Sequence, residues 1–263
     1  MIPKTIHYCW FGHSEKPELF VKCLNSWKKY CPDYEIKEWN EDNFDIHCSD
    51  YVQEAYEAGK WAFVTDYARL WIIYHHGGIY LDTDVEVIKP YDDLLSNKAF
   101  FGFENVGLLE DDTLINTGLG FGATAHNRVV ELMLNAYSGE HFKKADGSYD
   151  LTTCPWRNTN AVADLLPSDY SPDTMIDIED AVIYPHEYFC PLDARGIKMT
   201  RTKNTYSIHW YSASWLSSDE QIVHRYRVLK NKYQNIYGNK IGYYMVRFIY
   251  LFKPNERKII RKH

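Results

Sequence analysis

The chain of 263 residues holds no apolar run long enough to cross a bilayer, and its first residues, Met1-Ile2-Pro3-Lys4, lack the apolar stretch of a signal peptide. The first absence argues against a membrane-spanning helix, and the second predicts a body that stays in the cytoplasm. Its six cysteines (Cys9, Cys23, Cys31, Cys48, Cys154 and Cys190) are scattered, without a Cys-x-x-Cys pair. That argues against a zinc module and against a disulfide framework, so the thiols read as reduced and structural. The sequence also lacks an internal repeat, a low-complexity linker and an EF-hand pattern. What remains, 45% hydrophobic and 25% charged residues, suits one main α/β domain with a large core.

The formal charge of −7 conceals an asymmetry. Residues 225–263 carry eleven Lys/Arg against the single acidic residue Glu256, a net of +10, which leaves 18 basic and 35 acidic residues, a net of −17, in the rest. So acidic a body is a poor partner for nucleic acid. The chain is therefore expected to divide into residues 1–224, the main domain, and 225–263, a basic amphipathic helical tail. Base and apolar residues alternate in that tail, from Arg225 and Arg227 through Tyr243, Tyr244, Arg247, Phe248 and Phe252 to Arg261 and Lys262. It is too short and too charged to span a bilayer. It can lie in the interface of an anionic membrane, or pack on the domain with a solvated basic face.

Ile2 to Trp10 is a β-branched and aromatic run ending at a turn, Pro17 to Tyr30 has helical spacing, and Tyr34 to Trp39 is a second strand. Strand, helix and strand in about forty residues form the βαβ unit of a parallel sheet covered by helices, which binds ligands at strand C-terminal ends. One helix is predicted from about Gln53 to His76, capped by Gly77, with His75 and His76 complementing its dipole. Further strands are predicted at Ala99–Phe103, Leu114–Gly122, Ala181–Tyr184 and Thr205–Trp210, with a helix near Asn127–Tyr137 and a loop over Gly139–Asp150.

The chemistry concentrates in Gly77-Gly78-Ile79-Tyr80-Leu81-Asp82-Thr83-Asp84-Val85. Read as a strand, this segment points Tyr80, Asp82 and Asp84 to one side. Two buried carboxylates on one face require protons or a hard divalent cation, and the cation is the simpler answer; the bland reading is a turn or a solvated strand end. Asp66 and Arg69, spaced i, i+3, can pair with each other or grip a polar ligand. Trp10 is either a core aromatic or a ring that stacks on a nucleobase. His209, in His-Trp-Tyr-Ser-Ala-Ser-Trp, is either structural or a further metal ligand.

Ile2 through Gly12, Ser26-Trp27, Trp39-Asn40, Asp66-Tyr67-Ala68-Arg69 and Gly77 through Asp84 together resemble glycosyltransferase family 32, the DXD-motif sugar transferases. The pattern is shared by capsular-polysaccharide enzymes, Golgi mannosyltransferases and, more distantly, the large glucosylating toxins. Asn116, Tyr184-Pro185 through Cys190-Pro191 and His209 through Trp215 look like later landmarks of the family. The resemblance implies a GT-A fold, with a Rossmann-like, mostly parallel sheet flanked by helices. It also implies a nucleotide-sugar donor, with a UDP-sugar favoured, Mn²⁺ or Mg²⁺ on the diphosphate, and retention of anomeric configuration. Carried over by position, Asp82, Asp84 and Arg69 are the catalytic set, and Asp82, Asp84 and His209 the metal ligands. Trp10, Asp66, Arg69, Tyr80, Asn116, Ser214 and Trp215 are the donor contacts, the last two beside the leaving phosphate. Thr153-Cys154-Pro155 departs from the family's Thr-Gly-Pro.

The acceptor implied is an oligosaccharide or a lipid-linked glycan, and the setting cytoplasmic, peripheral on the inner face of the membrane if the tail docks. Two other classes fit a carboxylate pair: a non-catalytic sugar- or nucleotide-binding protein, and a metal-independent glycoside hydrolase with its carboxylates astride the scissile bond.

Overall fold

The computed structural model describes residues 1–105, 114–194, 196, 198–212, 218–260 and 262. The chain opens with β1 (Thr5–Cys9), α1 (Glu18–Tyr30) and β2 (Glu35–Trp39), and β1 pairs with β2 in parallel, as the βαβ pattern requires. Then follow α2 (Asp50–Glu57), α3 (Trp61–His76), β3 (Gly78–Tyr80), β4 (Val85–Val87), β5 (Ala99–Gly102), β6 (Phe121–Ala123) and α4 (Arg128–Asn135). The remaining elements are α5 (Cys154–Ala161), β7 (Ile176–Ile178), β8 (Ala181–Tyr184), α6 (His186–Phe189), β9 (Ser207–His209), α7 (Ser218–Tyr237), α8 (Asn239–Ile249) and α9 (Pro254–Ile260).

Seven strands form one sheet in the order β2-β1-β3-β6-β5-β8-β7, and β4 and β9 form a separate antiparallel pair. Parallel pairing joins β2, β1 and β3 at one edge and β5 to β8 further across, while β6 and β7 run antiparallel to their neighbours. Consecutive strand residues supply opposite faces, as the pleat dictates. Ile6, Tyr8, Ile79 and Phe100 pack with Phe20 and Trp27 of α1, whereas Cys9, Tyr80 and Phe101 pack with Val64, Ala68 and Ile72 of α3. The result is the predicted α/β architecture, a central sheet with helices on both faces.

Three sequence expectations are corrected. The single helix predicted over about 53–76 is two helices. Ala58 ends the first, Gly59 turns the chain at φ +65°, and the amide of Lys60 donates to the carbonyl of Ala55 before α3 begins. Gly59 has the freedom from Cβ clash that this left-handed turn needs. The second correction concerns the aspartates, which do not lie on a strand. β3 stops at Tyr80, and Asp82-Thr83-Asp84 form a turn, closed by the amide of Val85 donating to the carbonyl of Asp82 at 3.0 Å, that carries the chain out of the large sheet into the β4–β9 pair. The segment predicted as a strand over 114–122 also narrows, to a bridge at Ile115 and to β6.

The boundary expected between residues 224 and 225 falls inside α7, which begins at Ser218. Val223 on this helix is buried, and Val228 packs over Gly196.

Candidate active site

The aspartate turn is held from beneath by α1. Trp27, fully buried, donates its indole N–H to the carbonyl of Val85 at 2.7 Å, and the amide of Val87 donates to the Ser26 hydroxyl at 2.9 Å. Ser26-Trp27 thus fixes the first strand beyond Asp84. β4 in turn fixes β9, whose register sets Val85 opposite His209. This crossover brings His209 to a turn 125 residues earlier in the chain: its Nε2 lies 3.3 Å from Asp84 Oδ1. The other oxygen of Asp84 accepts from the amide of Ser212 at 2.8 Å, and its carbonyl accepts from the amide of Trp210 at 3.0 Å.

A second set of contacts joins α3 to the same turn. The Arg69 guanidinium lies 3.0 Å from Asp66 and 3.2 Å from Asp82, and the Tyr80 hydroxyl donates to Asp82 Oδ1 at 3.1 Å. Arg69 also donates from Nε to the carbonyl of Thr65 and approaches the Cys154 sulfur at 3.7 Å. With a side chain only 5% exposed, Arg69 belongs to a buried ionic cluster and not to a helix surface. Space above Asp82 is cleared by Gly118, where an added Cβ would sit 2.4 Å from Asp82 Oδ2 and 3.0 Å from Arg69 Nη1. Asn116 turns its Oδ1 to the amide of Gly118 at 2.7 Å.

These groups line one cleft of about 880 Å³, together with Trp10, Trp61, Glu104, Cys154, Tyr211, His224 and Arg227. That is the size of a small-molecule site. Trp10 stacks on Phe20 with ring centroids 5.4 Å apart, and its indole N–H donates to the carbonyl of Ser14. Asp66, Arg69, Asp82, Asp84, Trp10, Tyr80, Asn116 and His209 are thus all brought together. Ser214 and Trp215 lie outside the described residues.

Charge is distributed unevenly across the cleft. Burial pushes the Asp66 carboxyl up to about 6, against the pull of Arg69, and burial likewise raises Asp82. Burial opposes ionisation of Asp84 too, but His209 and the donors at Ser212 outweigh it and hold this carboxylate well below its usual range. His209 is the counterpart: burial disfavours its cation, yet Asp84 raises its pKa. Asp82, Asp84 and His209 each offer one ligand atom, all within 4.8 Å of one another, and His209 Nδ1 is buried without a hydrogen-bond partner among the described residues. Two carboxylate oxygens and an imidazole form a donor set that suits a divalent cation. The residues fit the cation.

The roles of two participants were not legible in the sequence, although Thr153-Cys154-Pro155 stands out as a departure from the family pattern. Glu104 follows β5 and faces the cleft; burial raises its pKa, while His209 and hydrogen bonds with Tyr211 and Asn116 favour its ionised form. No motif marks a glutamate at a strand end. Cys154 starts α5, and burial raises its thiol pKa well above the ordinary value, so it contacts Arg69 and Thr117 as a neutral group. Pro155 in the first turn of α5 was the available signal, because proline fits the start of a helix.

Residues 17–101 match the family described as "Glycosyltransferase sugar-binding region containing DXD motif". The resemblance read from the sequence is thereby met over the segment that supplies Asp66, Arg69, Asp82 and Asp84. Inositol phosphoceramide mannosyltransferase 1 of Schizosaccharomyces pombe is 30% identical over 110 residues, which cover 38% of this chain and 33% of that protein. Inositol phosphoceramide mannosyltransferase 3 of the same yeast is 30% identical over 138 residues, covering 51% and 37%. The chain thus spans about a third of the length of these curated relatives. Among solved structures, a protein titled PaToxG Glycosyltransferase superposes with a TM-score of 0.46 at 20% identity, covering 63% of this chain and 70% of that one.

Proposed function

We propose that the chain is a retaining hexosyltransferase that moves a sugar from a nucleotide donor, UDP-sugar favoured, to an oligosaccharide or lipid-linked acceptor. The observation that carries this reading is the convergence of Asp82, Asp84 and His209 in a cleft shared with Arg69 and Asn116, within and beside the segment that matches the DXD family. Asp82, Asp84 and His209 would hold Mn²⁺ or Mg²⁺, which when bound stabilises the negative charge gathering on a departing nucleoside diphosphate.

The chain's own groups divide the remaining work. Asp66 and Asp82, with Arg69 between them, present carboxylate oxygens to ribose or sugar hydroxyls, and Tyr80 acts through its hydrogen bond to Asp82. Asn116 faces the donor sugar, Trp10 offers an aromatic ring to the base, and Ser214 and Trp215 are assigned to the leaving phosphate. Residues 1–224 form the catalytic unit and 225–263 the tail, which meets an anionic membrane surface on the cytoplasmic side. The two yeast relatives, both inositol phosphoceramide mannosyltransferases, support the lipid-linked arm of the acceptor assignment. Among the described residues no helix is long and apolar enough to cross a membrane.

A thermal-shift panel of nucleotide sugars, with and without Mn²⁺, tests the donor assignment. The melting temperature is expected to rise with the concentration of one UDP-sugar only when Mn²⁺ is present, because a ligand that binds the folded state stabilises by mass action. No metal-dependent shift with any nucleotide sugar would contradict it.

A further inference from the structure

The C-terminal helices leave an apolar face uncovered. α8 and the turn after it pack on α7 through Gly242, Val246 and Tyr250, all buried and spaced i, i+4, i+8. Gly242 is the contact point: an added Cβ would lie 2.3 Å from the backbone nitrogen of Gln234, so only glycine lets the two helices meet this closely. The opposite side of α8 and the turn after it present Ile241, Tyr244, Phe248 and Phe252, which are 59%, 56%, 60% and 74% exposed. Their spacing of 3, 4 and 4 residues makes a single stripe. With Met245 and Tyr233 this stripe borders a shallow apolar depression of about 470 Å³. Lys240 and Arg247, both exposed, flank the stripe.

We propose that this face of α8 is the lipid-docking surface of the protein, lying in the plane of an anionic bilayer with Ile241, Tyr244, Phe248 and Phe252 among the acyl chains and Lys240 and Arg247 at the headgroups. Charge selects the occupant. Residues 225–263 carry +10 and the remainder −17, so an anionic surface attracts the hairpin and repels the body, which orients the molecule as well as holding it. The apolar stripe is confined to the positive end. For the purpose of docking, this deepens the transferase reading and rests on it only for the consequence: α7, which carries the hairpin, also contributes Val223, His224 and Arg227 to the catalytic cleft. At 1.5 Å per residue, Arg227 sits about 16 Å along α7 from the turn at Gly238. Docking therefore sets the mouth of the cleft within reach of a sugar or phosphate carried on a membrane lipid, and the acceptor class is lipid-borne.

The test is co-sedimentation of the full chain with vesicles of phosphatidylcholine containing phosphatidylglycerol, and with vesicles of phosphatidylcholine alone. Binding to the anionic vesicles at low salt, and its loss at high salt, is expected. The exposed double substitution Lys240→Glu/Arg247→Glu should lower the partition coefficient about thirtyfold or more while circular dichroism and the UDP-sugar thermal shift stay unchanged. Ile241→Ser/Phe248→Ser should lower it as well, without changing the mass seen by light scattering. Equal partitioning of wild type and both variants, or no binding by the wild type at low salt, overturns the proposal. So does a wild-type dimer that the serine pair converts to monomer with vesicle binding intact, because the stripe is then a contact between copies. Vesicle binding in a chain that releases no nucleoside diphosphate refutes the transfer reading and leaves docking in place.

Discussion

Asp84 and His209 meet at 3.3 Å because β9 pairs with β4 in a register that sets His209 opposite Val85. The pairing gives the turn between β3 and β4 a third donor from the far end of the domain. Asp84→Asn keeps the shape of that residue and removes its charge. Isothermal titration with Mn²⁺ should then show affinity reduced at least tenfold; the unliganded protein should still fold by circular dichroism but melt at a lower temperature, because the substitution also removes the buried ionic partner of His209. Mn²⁺ binding equal to wild type would contradict the ligand assignment.

Arg69 carries a structural burden that its helical spacing does not reveal. The i, i+3 pair with Asp66 reads as a surface interaction of a few tenths of a kcal/mol. Buried between Asp66 and Asp82, the guanidinium compensates two carboxylates, and removing one partner of a buried pair costs about 3–5 kcal/mol. Arg69→Ala should accordingly lower the denaturant midpoint strongly as well as abolish donor binding. Unfolding at the wild-type midpoint would show that water already reaches the cluster.

Gly118→Ala tests the space above Asp82. The new methyl carbon would fall 2.4 Å from Asp82 Oδ2, so the carboxylate must turn away. Donor binding in the presence of Mn²⁺ should weaken by about tenfold or more, the equivalent of about 1.4 kcal/mol. Unchanged affinity would mean that Asp82 does not bind in the orientation described.

His7 predicts an acid limit to stability. Its Nδ1 accepts from the Trp39 indole at 3.0 Å and its Nε2 bonds to the carbonyl of Gly77 at 3.1 Å, which fixes a neutral ring with the proton on Nε2. Burial lowers its pKa to about 4. The unfolded chain, with an ordinary histidine near 6.5, binds the proton first, so this contribution is complete above about pH 6.5 and lost as the pH falls toward 4. Its size is about 3 kcal/mol. The urea midpoint should fall across that window less steeply in His7→Gln than in the wild type. An NMR titration placing the His7 ring at an ordinary pKa would contradict the argument.

The parts of the fold written in local pattern were legible in the sequence. The β-branched and aromatic run around Thr5–Cys9, the helical spacing of Glu18–Tyr30 and Gly77 as the helix cap all appear where the residues indicate. Asp82 and Asp84 were legible as a pair but not as a turn, because an apolar Ile-Tyr-Leu lead and a following Val-Glu-Val have the period of one continuous strand. The departure of Val85 to pair with β9 is a long-range event that no local signal encodes. Gly59 was read through for a similar reason, since one glycine inside an apolar helical pattern is ordinarily tolerated. Glu104 and the contacts of Cys154 depend entirely on tertiary approach.

The central claim, that this cleft transfers a sugar from a nucleotide donor with Asp84 as a metal ligand, is tested most directly by nucleoside diphosphate release. The full chain is incubated with each nucleotide sugar, with acceptor lipid extract and Mn²⁺ or with EDTA. The account predicts release of UDP from one donor, dependent on Mn²⁺ and lost in Asp84→Asn. Release that persists in EDTA and in Asp84→Asn, or no release from any nucleotide sugar, would contradict it.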